Sequence, residues 1–235
     1  MTEFKYVGSE LDLFALARNW KAYWASQIRP FVRGDVAEVG AGIGSNSPTL
    51  DDGGAGRWVC LEPDPALLAE LSNKLASEPA PRAYEAVCGT LQSLPGQHFD
   101  TIIYIDVLEH IENDRAELAE AAAHLRPGGH LVVLSPAHQA LYSPFDAAIG
   151  HFRRYSRSSL QAVSPTGLTK VRLKYLDSVG LFASLANSLF LRQSMPRKGQ
   201  IEFWDNWIIP ASRSIDRFLL YSFGKTVIGI WRKPR

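Results

Sequence analysis

The apolar positions change period several times along the chain, and those changes mark out its elements. Leu13, Leu16, Trp20, Trp24 and Ile28 recur in steps of three and four behind Ser9 and Asp12, spaced like a capping box, so an amphipathic helix is predicted that Pro30 ends. Val36 to Val39 and Arg57 to Leu61 read as short buried strands with a helix start at Asn46-Ser47-Pro48 between them. Asp64-Pro65 opens a second helix with Leu67, Leu68, Leu71 and Leu75 on one side, and Ala83 to Cys88 reads as a third strand. The beat continues with a strand at Thr101 to Asp106, a helix from Asp114 to Leu125 closed by Pro127-Gly128-Gly129, and a strand at His130 to Ser135.

Strands alternating with helical segments of roughly ten to fifteen residues imply right-handed crossovers and an α/β fold with a doubly wound, mostly parallel sheet. Residues 33–136 form its core, preceded by a helix within 1–32. Residues 137–235 add a polar and aromatic loop (136–157), a short helix capped by Ser156, and an alternating strand through Val171, Leu173 and Tyr175. After them come an apolar helix at Leu181 to Leu191, a polar link (192–200), a segment Phe203 to Phe223 interrupted by Pro210, and a last strand at Thr226 to Trp231. All of this is read as one domain.

Composition narrows the class. The 235 residues carry 25 Lys+Arg against 24 Asp+Glu, a net charge of +1, so the chain lacks the footprint of a general nucleic-acid binder. Leu181 to Leu191 is too short to cross a bilayer, and MTEFKYVGSELDLF has no apolar signal core, so a cytoplasmic protein without integral membrane association is expected. Two cysteines, Cys60 and Cys88, stand at no metal-ligand spacing.

The candidate chemistry lies at strand ends. Glu38-Val39-Gly40-Ala41-Gly42-Ile43-Gly44-Ser45 sets glycines just after the first strand, where positive φ and close ligand approach are needed and N–H groups point outward. The spacing departs from the dinucleotide pattern G-x-G-x-x-G, and the acid before the glycines would repel a pyrophosphate. Glu62, directly after the second strand, stands where doubly wound nucleotide sites place a carboxylate on ribose hydroxyls. Two carboxylates, a glycine loop and no phosphate-binding lysine describe a cationic nucleoside cofactor, which S-adenosylmethionine fits.

Read together, EVGAGIGS, CLEPDP, FDTIIYIDVLEHI and LRPGGHLVVLSPA resemble the class I S-adenosylmethionine-dependent methyltransferases over about residues 33–140. The resemblance implies a Rossmann-like methyltransferase fold with an added N-terminal helix and a C-terminal helical lid. Carried over residue by residue, it implies that Glu38, Gly40, Gly42 and Gly44 hold the methionine part and Glu62 the ribose. Thr90 and Leu91 would line the adenine, while Asp106, Val107, Leu108 and His110 would border the reaction centre. Many relatives have an acid where this chain has Gly89-Thr90, which leaves the adenine amino contact to backbone groups. Tyr142-Ser143-Pro144-Phe145-Asp146 and Gly150-His151-Phe152-Arg153-Arg154-Tyr155 resemble a bacterial small-molecule subgroup with a G-H-x-R-R-Y loop.

That loop follows the fifth strand and is expected to face the methyl acceptor, with Arg153 and Arg154 binding it, since surface ion pairs contribute only about 0–1 kcal/mol and give little structural reason to gather arginines there. Tyr6, ahead of the first helix, is placed to fold over a pocket, whereas Trp20 and Trp24 read as packing. Alignment and water exclusion can supply about 7–11 kcal/mol of the methyl-transfer barrier, and a base is needed only for a proton-bearing acceptor, with His110, His151 and Tyr155 as candidates. No metal-ligand constellation is visible, so insensitivity to chelators is expected.

Six Trp and eight Tyr, with Trp204 in the lid region, suit an aromatic or heteroaromatic acceptor, an azapteridine-like secondary metabolite methylated on nitrogen or oxygen. An alternative gives the arginines to a lipid-linked or phosphorylated sugar intermediate, with the C-terminal apolar segments on a membrane surface. A second alternative is a non-catalytic nucleotide-binding module. The expected partner is the small-molecule acceptor, with no nucleic acid, in a monomer or homodimer.

Overall fold

The computed structural model describes residues 5–8, 11–77, 84–190 and 197–235. Its strands are β1 (Gly34–Val39), β2 (Ala55–Glu62), β3 (Glu85–Cys88), β4 (Phe99–Ile105), β5 (Leu125–Pro136), β6 (Thr169–Leu176) and β7 (Thr226–Arg232). Its helices are α1 (Leu11–Ala15), α2 (Arg18–Ile28), α3 (Ser47–Leu50), α4 (Pro65–Ser77), α5 (Asp114–His124), α6 (Pro144–Ala148), α7 (Arg157–Val163), α8 (Ser178–Phe190), α9 (Lys198–Phe203) and α10 (Ile209–Phe218).

The strands form one sheet in the order β3-β2-β1-β4-β5-β7-β6. All pairings from β3 to β5 are parallel, and β7 runs antiparallel between β5 and β6. Strand order reverses between β1 and β4, which opens a crevice at their carboxyl ends, the place where α/β sheets bind ligands.

Both faces of the sheet are covered, which is why its central strands read as continuous apolar runs. Val36, Cys60, Ile103 and Val132 pack towards Trp20, Tyr23 and Trp24 of α2, Ile201 of α9 and Ile209 of α10. Ala37, Val59, Ile102, Tyr104 and Leu131 pack towards Leu118 and Ala121 of α5 and Leu160 of α7. Helices from the two ends of the chain thus share one layer of the sandwich, and the C-terminal helices are built into the core.

Local caps fall where the sequence places them. Asp64 Oδ1 accepts from the Ala66 N–H at 2.8 Å at the start of α4, and Ser156 Oγ accepts from the Ser159 N–H at 3.0 Å at the start of α7. Four expectations are corrected. The first helix breaks at Leu16-Ala17, and α2 starts afresh because the Asp205 carboxylate, remote in sequence, accepts from the N–H groups of Asn19 (3.0 Å) and Trp20 (2.8 Å). Asn46-Ser47-Pro48 opens only the single turn of α3.

Pro127-Gly128-Gly129 lies inside β5, whose pairing with β4 jumps from Phe99↔Leu125 to Thr101↔His130 and absorbs the extra residues as a bulge. Pro210 interrupts nothing. A π-helical turn at Trp204–Ile208 joins α9 to α10 and leaves Pro210 in the first turn of α10, where its missing N–H costs little. Ser9, Ala83, Leu191 and the beginning of the polar link lie outside the described residues. Among the described residues no helix is long and apolar enough to cross a membrane.

Candidate active site

At the carboxyl end of β1 the chain turns through Gly40, Gly42 and Gly44, all with positive φ (65°, 55° and 71°). At Gly40 this is a steric requirement as well, because a Cβ there would lie 2.7 Å from a methyl of Val107, at the end of β4. Glu62 pins the loop from the next strand: Oε2 accepts from the Gly42 N–H at 2.8 Å and Oε1 from the Asp64 N–H at 2.9 Å. Burial pushes its carboxyl up and these two amides pull it back. Each oxygen keeps a further lone pair, so the carboxylate can still accept from two hydroxyls.

Glu38 lies beneath the loop, 2% exposed, its Oε2 accepting from the Ser47 hydroxyl (2.6 Å) and the Trp58 indole N–H (3.1 Å). Burial pushes it up to about 7. Thr90 opens a short turn beside the end of β3, but the Leu91 side chain is fully buried in the core, as is that of Leu108, and both are packing groups. Asp106 stands exposed at the end of β4 with a φ of 53°.

The acceptor side differs from the sequence-based expectation. Arg154 is spent on the fully buried Asp146, with Nε to Oδ1 at 2.7 Å and Nη2 to Oδ2 at 2.9 Å. Arg153 pairs with Asp114 at 2.6 Å and donates to the Glu112 carbonyl at 2.8 Å. Tyr155 is 1% exposed and donates its hydroxyl to Asp114 at 2.7 Å; burial and that carboxylate raise it further above the ordinary phenol range, so it is no base. Trp204 packs on Trp20 and donates its N–H to Asp177 at 2.9 Å. These four side chains hold the structure together.

The two histidines do meet. Their rings lie edge to face at 4.5 Å, and burial, then the neighbouring His151, lowers His110 to about 4. His151 Nδ1 faces Asp146 Oδ1 at 2.9 Å. Burial works against the charge of Asp146, but His151 and Arg154 outweigh it and hold its carboxyl well below the usual range. Glu109 completes the group, fully buried, with Oε1 3.9 Å from His151 Nε2. Sequence reasoning missed Glu109 and Asp146, although both stand inside quoted motifs, and it saw no metal-ligand spacing because His151 is distant in the chain from Glu109-His110.

Tyr6 ties the two sides together. Its N–H donates to Asp64 Oδ2 at 2.7 Å and its ring packs edge-on to His110 at 5.6 Å, while Val7 lies against Gly150. Residues 5–8 therefore cross the crevice from the turn after β2 to the loop that carries His151, and Leu11 lies over Gly42.

Residues 37–133 match the family model described as a methyltransferase domain. Over that stretch, less than half of its length, the chain is similar to methyltransferase domains. No curated protein matches it by sequence. Among solved structures it resembles the N-methyltransferase NodS from Bradyrhizobium japonicum WM9 (TM-score 0.57, 16% identity, 97% of this chain and 100% of that one), also solved with S-adenosyl-L-homocysteine. It likewise resembles phosphoethanolamine N-methyltransferase 2 from Haemonchus contortus, in complex with S-adenosyl-L-methionine (TM-score 0.64, 12%, 97% and 58%). The [4+2]-cyclase SpnF is a third (TM-score 0.60, 16%, 92% and 80%). At such identities these likenesses show the fold.

The residues at this site fit S-adenosylmethionine. The Gly40–Val107 contact leaves no room for a side chain, Glu62 has spare acceptor capacity, and Glu38 offers a negative charge to a cationic ligand. The value of about 7 for Glu38 yields a prediction. A raised carboxyl is protonated in the native state where the unfolded chain is already ionised, so its contribution to stability is present below the ordinary carboxylate value and is lost as pH rises through about 7. Cofactor affinity should move the opposite way, rising about tenfold from pH 6 to pH 8 as Glu38 ionises, and Glu38→Gln should flatten that profile. Titration calorimetry across that range checks both.

Proposed function

We propose that the protein methylates a small-molecule acceptor held between the Asp106–His110 turn and the His151 loop, with the cofactor seated on the glycine loop and Glu62. The observation that carries this reading is that the strand-order reversal brings the Glu62-pinned loop and the His110–His151 pair to one end of the sheet, with residues 5–8 spanning both. When bound, S-adenosylmethionine supplies an electrophilic methyl group on a sulfonium. The chain's own part is to fix that group through Glu38, the glycine loop and Glu62, and to shield the crevice from water with Tyr6. With Arg153 and Arg154 already paired, an anionic acceptor loses its natural partners, while Tyr6, His110 and the half-exposed Phe152 offer faces and edges to an aromatic or heteroaromatic one.

A second reading has one observation in its favour. Trp207, Phe218 and Leu220 are 71%, 88% and 81% exposed, which suits a lipid-linked acceptor met at a membrane surface. Calorimetric titration with S-adenosylmethionine, S-adenosyl-L-homocysteine and NAD tests the shared part: micromolar binding of the first two and none of NAD is expected, and the reverse withdraws the assignment. Sedimentation with anionic vesicles separates the acceptor readings, since pelleting of the protein favours the lipid-linked one.

A further inference from the structure

The Glu109–His110–His151 cluster is left without a task by the cofactor half of the site. Glu109 is fully buried, neither of its carboxyl oxygens has a hydrogen-bond partner of regular geometry although the Ser135 hydroxyl and its own backbone N–H lie close by, and burial pushes the carboxyl well above its usual range. Buried polar atoms are nearly always paired, and leaving a carboxylate unpaired costs several kcal/mol, so an orphan of this kind points to a missing partner. One ligand atom from each of the three side chains lies within 4.8 Å of the others.

The hydrogen bonds around the cluster orient it. Asp146 is an acceptor, so His151 carries its proton on Nδ1 and turns the unprotonated Nε2 towards Glu109. Asp146 is itself fixed by Arg154 and by the backbone and hydroxyl of Ser143. A carboxylate holding one imidazole nitrogen so that the other is presented is the outer-shell pattern found behind metal-bound histidines. Charges of both signs surround the cluster: Asp106 adds to the negative charge at Glu109, while Arg154, engaged with Asp146, and the buried Lys225, near Asp106 and Asp146, are the opposing cations.

We infer that Glu109, His110 and His151 bind one divalent transition-metal ion through a carboxylate oxygen and two imidazole nitrogens. Two imidazoles and one carboxylate form a ligand set suited to zinc and its neighbours, and three protein ligands leave a position open. With metal–ligand bonds of about 2.0 Å at tetrahedral angles the ligand atoms stand about 3.3 Å apart, so the 3.9 Å between His151 Nε2 and Glu109 Oε1 must close by about 0.6 Å, and no pair of the three, all within 4.8 Å, by more than about 1.5 Å. The open position lies where the acceptor is placed, and an ion there would polarise an acceptor oxygen. Metal binding goes beyond the methyl-transfer reading and stands without it, and it replaces the expectation of insensitivity to chelators.

The test uses the full chain stripped with EDTA, dialysed, and titrated with Co²⁺ by visible absorption and with Zn²⁺ by calorimetry. One equivalent of each should bind, Co²⁺ giving the intense bands of a low-coordinate site. His151→Ala and Glu109→Gln should abolish those bands, and Asp146→Asn should weaken affinity about 10–100-fold. Undiminished S-adenosylmethionine binding in the same variants separates loss of a ligand from loss of fold, and Glu109→Gln, nearly isosteric, is the variant that disturbs packing least. Absence of stoichiometric binding, or a Co²⁺ spectrum unchanged in a folded His151→Ala or Glu109→Gln, overturns the inference. Neither result depends on whether methyl transfer is detected.

Discussion

Glu62→Ala should weaken S-adenosylmethionine binding about a thousandfold, and S-adenosyl-L-homocysteine to a similar extent. The carboxylate does two jobs with one group. It fixes the glycine loop by accepting the N–H of Gly42 and closes the neighbouring turn by accepting that of Asp64, while in the proposed site its remaining lone pairs would accept the ribose hydroxyls. Hydrogen bonds to a charged acceptor contribute about 1.5–3 kcal/mol each, so losing two to the ribose accounts for the thousandfold, about 4 kcal/mol. The orphaned Gly42 and Asp64 amides add a loop that no longer keeps its shape. Glu62→Gln retains one carbonyl oxygen but turns an amide donor towards another donor, and should fall between the two. Because both nucleosides share the ribose, the loss should be the same for each and independent of pH, unlike that of Glu38→Gln. Calorimetry is decisive: a change of less than fivefold in Glu62→Ala would mean that the carboxylate only braces the turn.

What the sequence disclosed about this site and what it hid divide along a physical line. The glycine loop, Glu62 and the caps at Asp64 and Ser156 are local devices, set by residues a few positions apart, and they stand where their spacing puts them. The alternation of strands and helices made the mostly parallel, doubly wound sheet legible through the crossover rule, while the strand order itself emerges only in the folded chain. Partners chosen across the fold are another matter. Arg153 and Arg154 were legible as a basic pair, but their engagement by Asp114 and Asp146 required the loop to be folded back on α5 and α6. The break before α2 depends on Asp205, the placement of Pro210 on a π turn, and the meeting of His110 with His151 on a loop after β5. Glu109 was hidden for a further reason: an acid beside a histidine in a turn looks like a solvated pair, and only its complete burial makes it unusual.

The strongest of these long-range ties carries the second large effect, which concerns stability. Asp216→Ala should destabilise the protein by about 4 kcal/mol in urea unfolding, more than most single substitutions. Its fully buried carboxylate accepts from the Tyr23 hydroxyl at 2.7 Å and from the N–H groups of Asp177 at 2.7 Å and Ser178 at 3.0 Å. It therefore joins α2, the β6–α8 junction and α10. Asp177 sits at a φ of 65°, and its own carboxylate receives the Gly180 N–H, the Ser212 hydroxyl and the Trp204 indole. Removing Asp216 releases a left-handed residue that in turn holds Trp204. Tyr23→Phe deletes one of the three bonds while keeping the ring, and should cost about 1–1.5 kcal/mol. In the double variant the two losses should overlap, since a phenol without its acceptor has nothing left to lose. Strictly additive losses would mean that Asp216 acts through the backbone of β6 and α8 alone, and that α2 is held to the sheet by apolar packing.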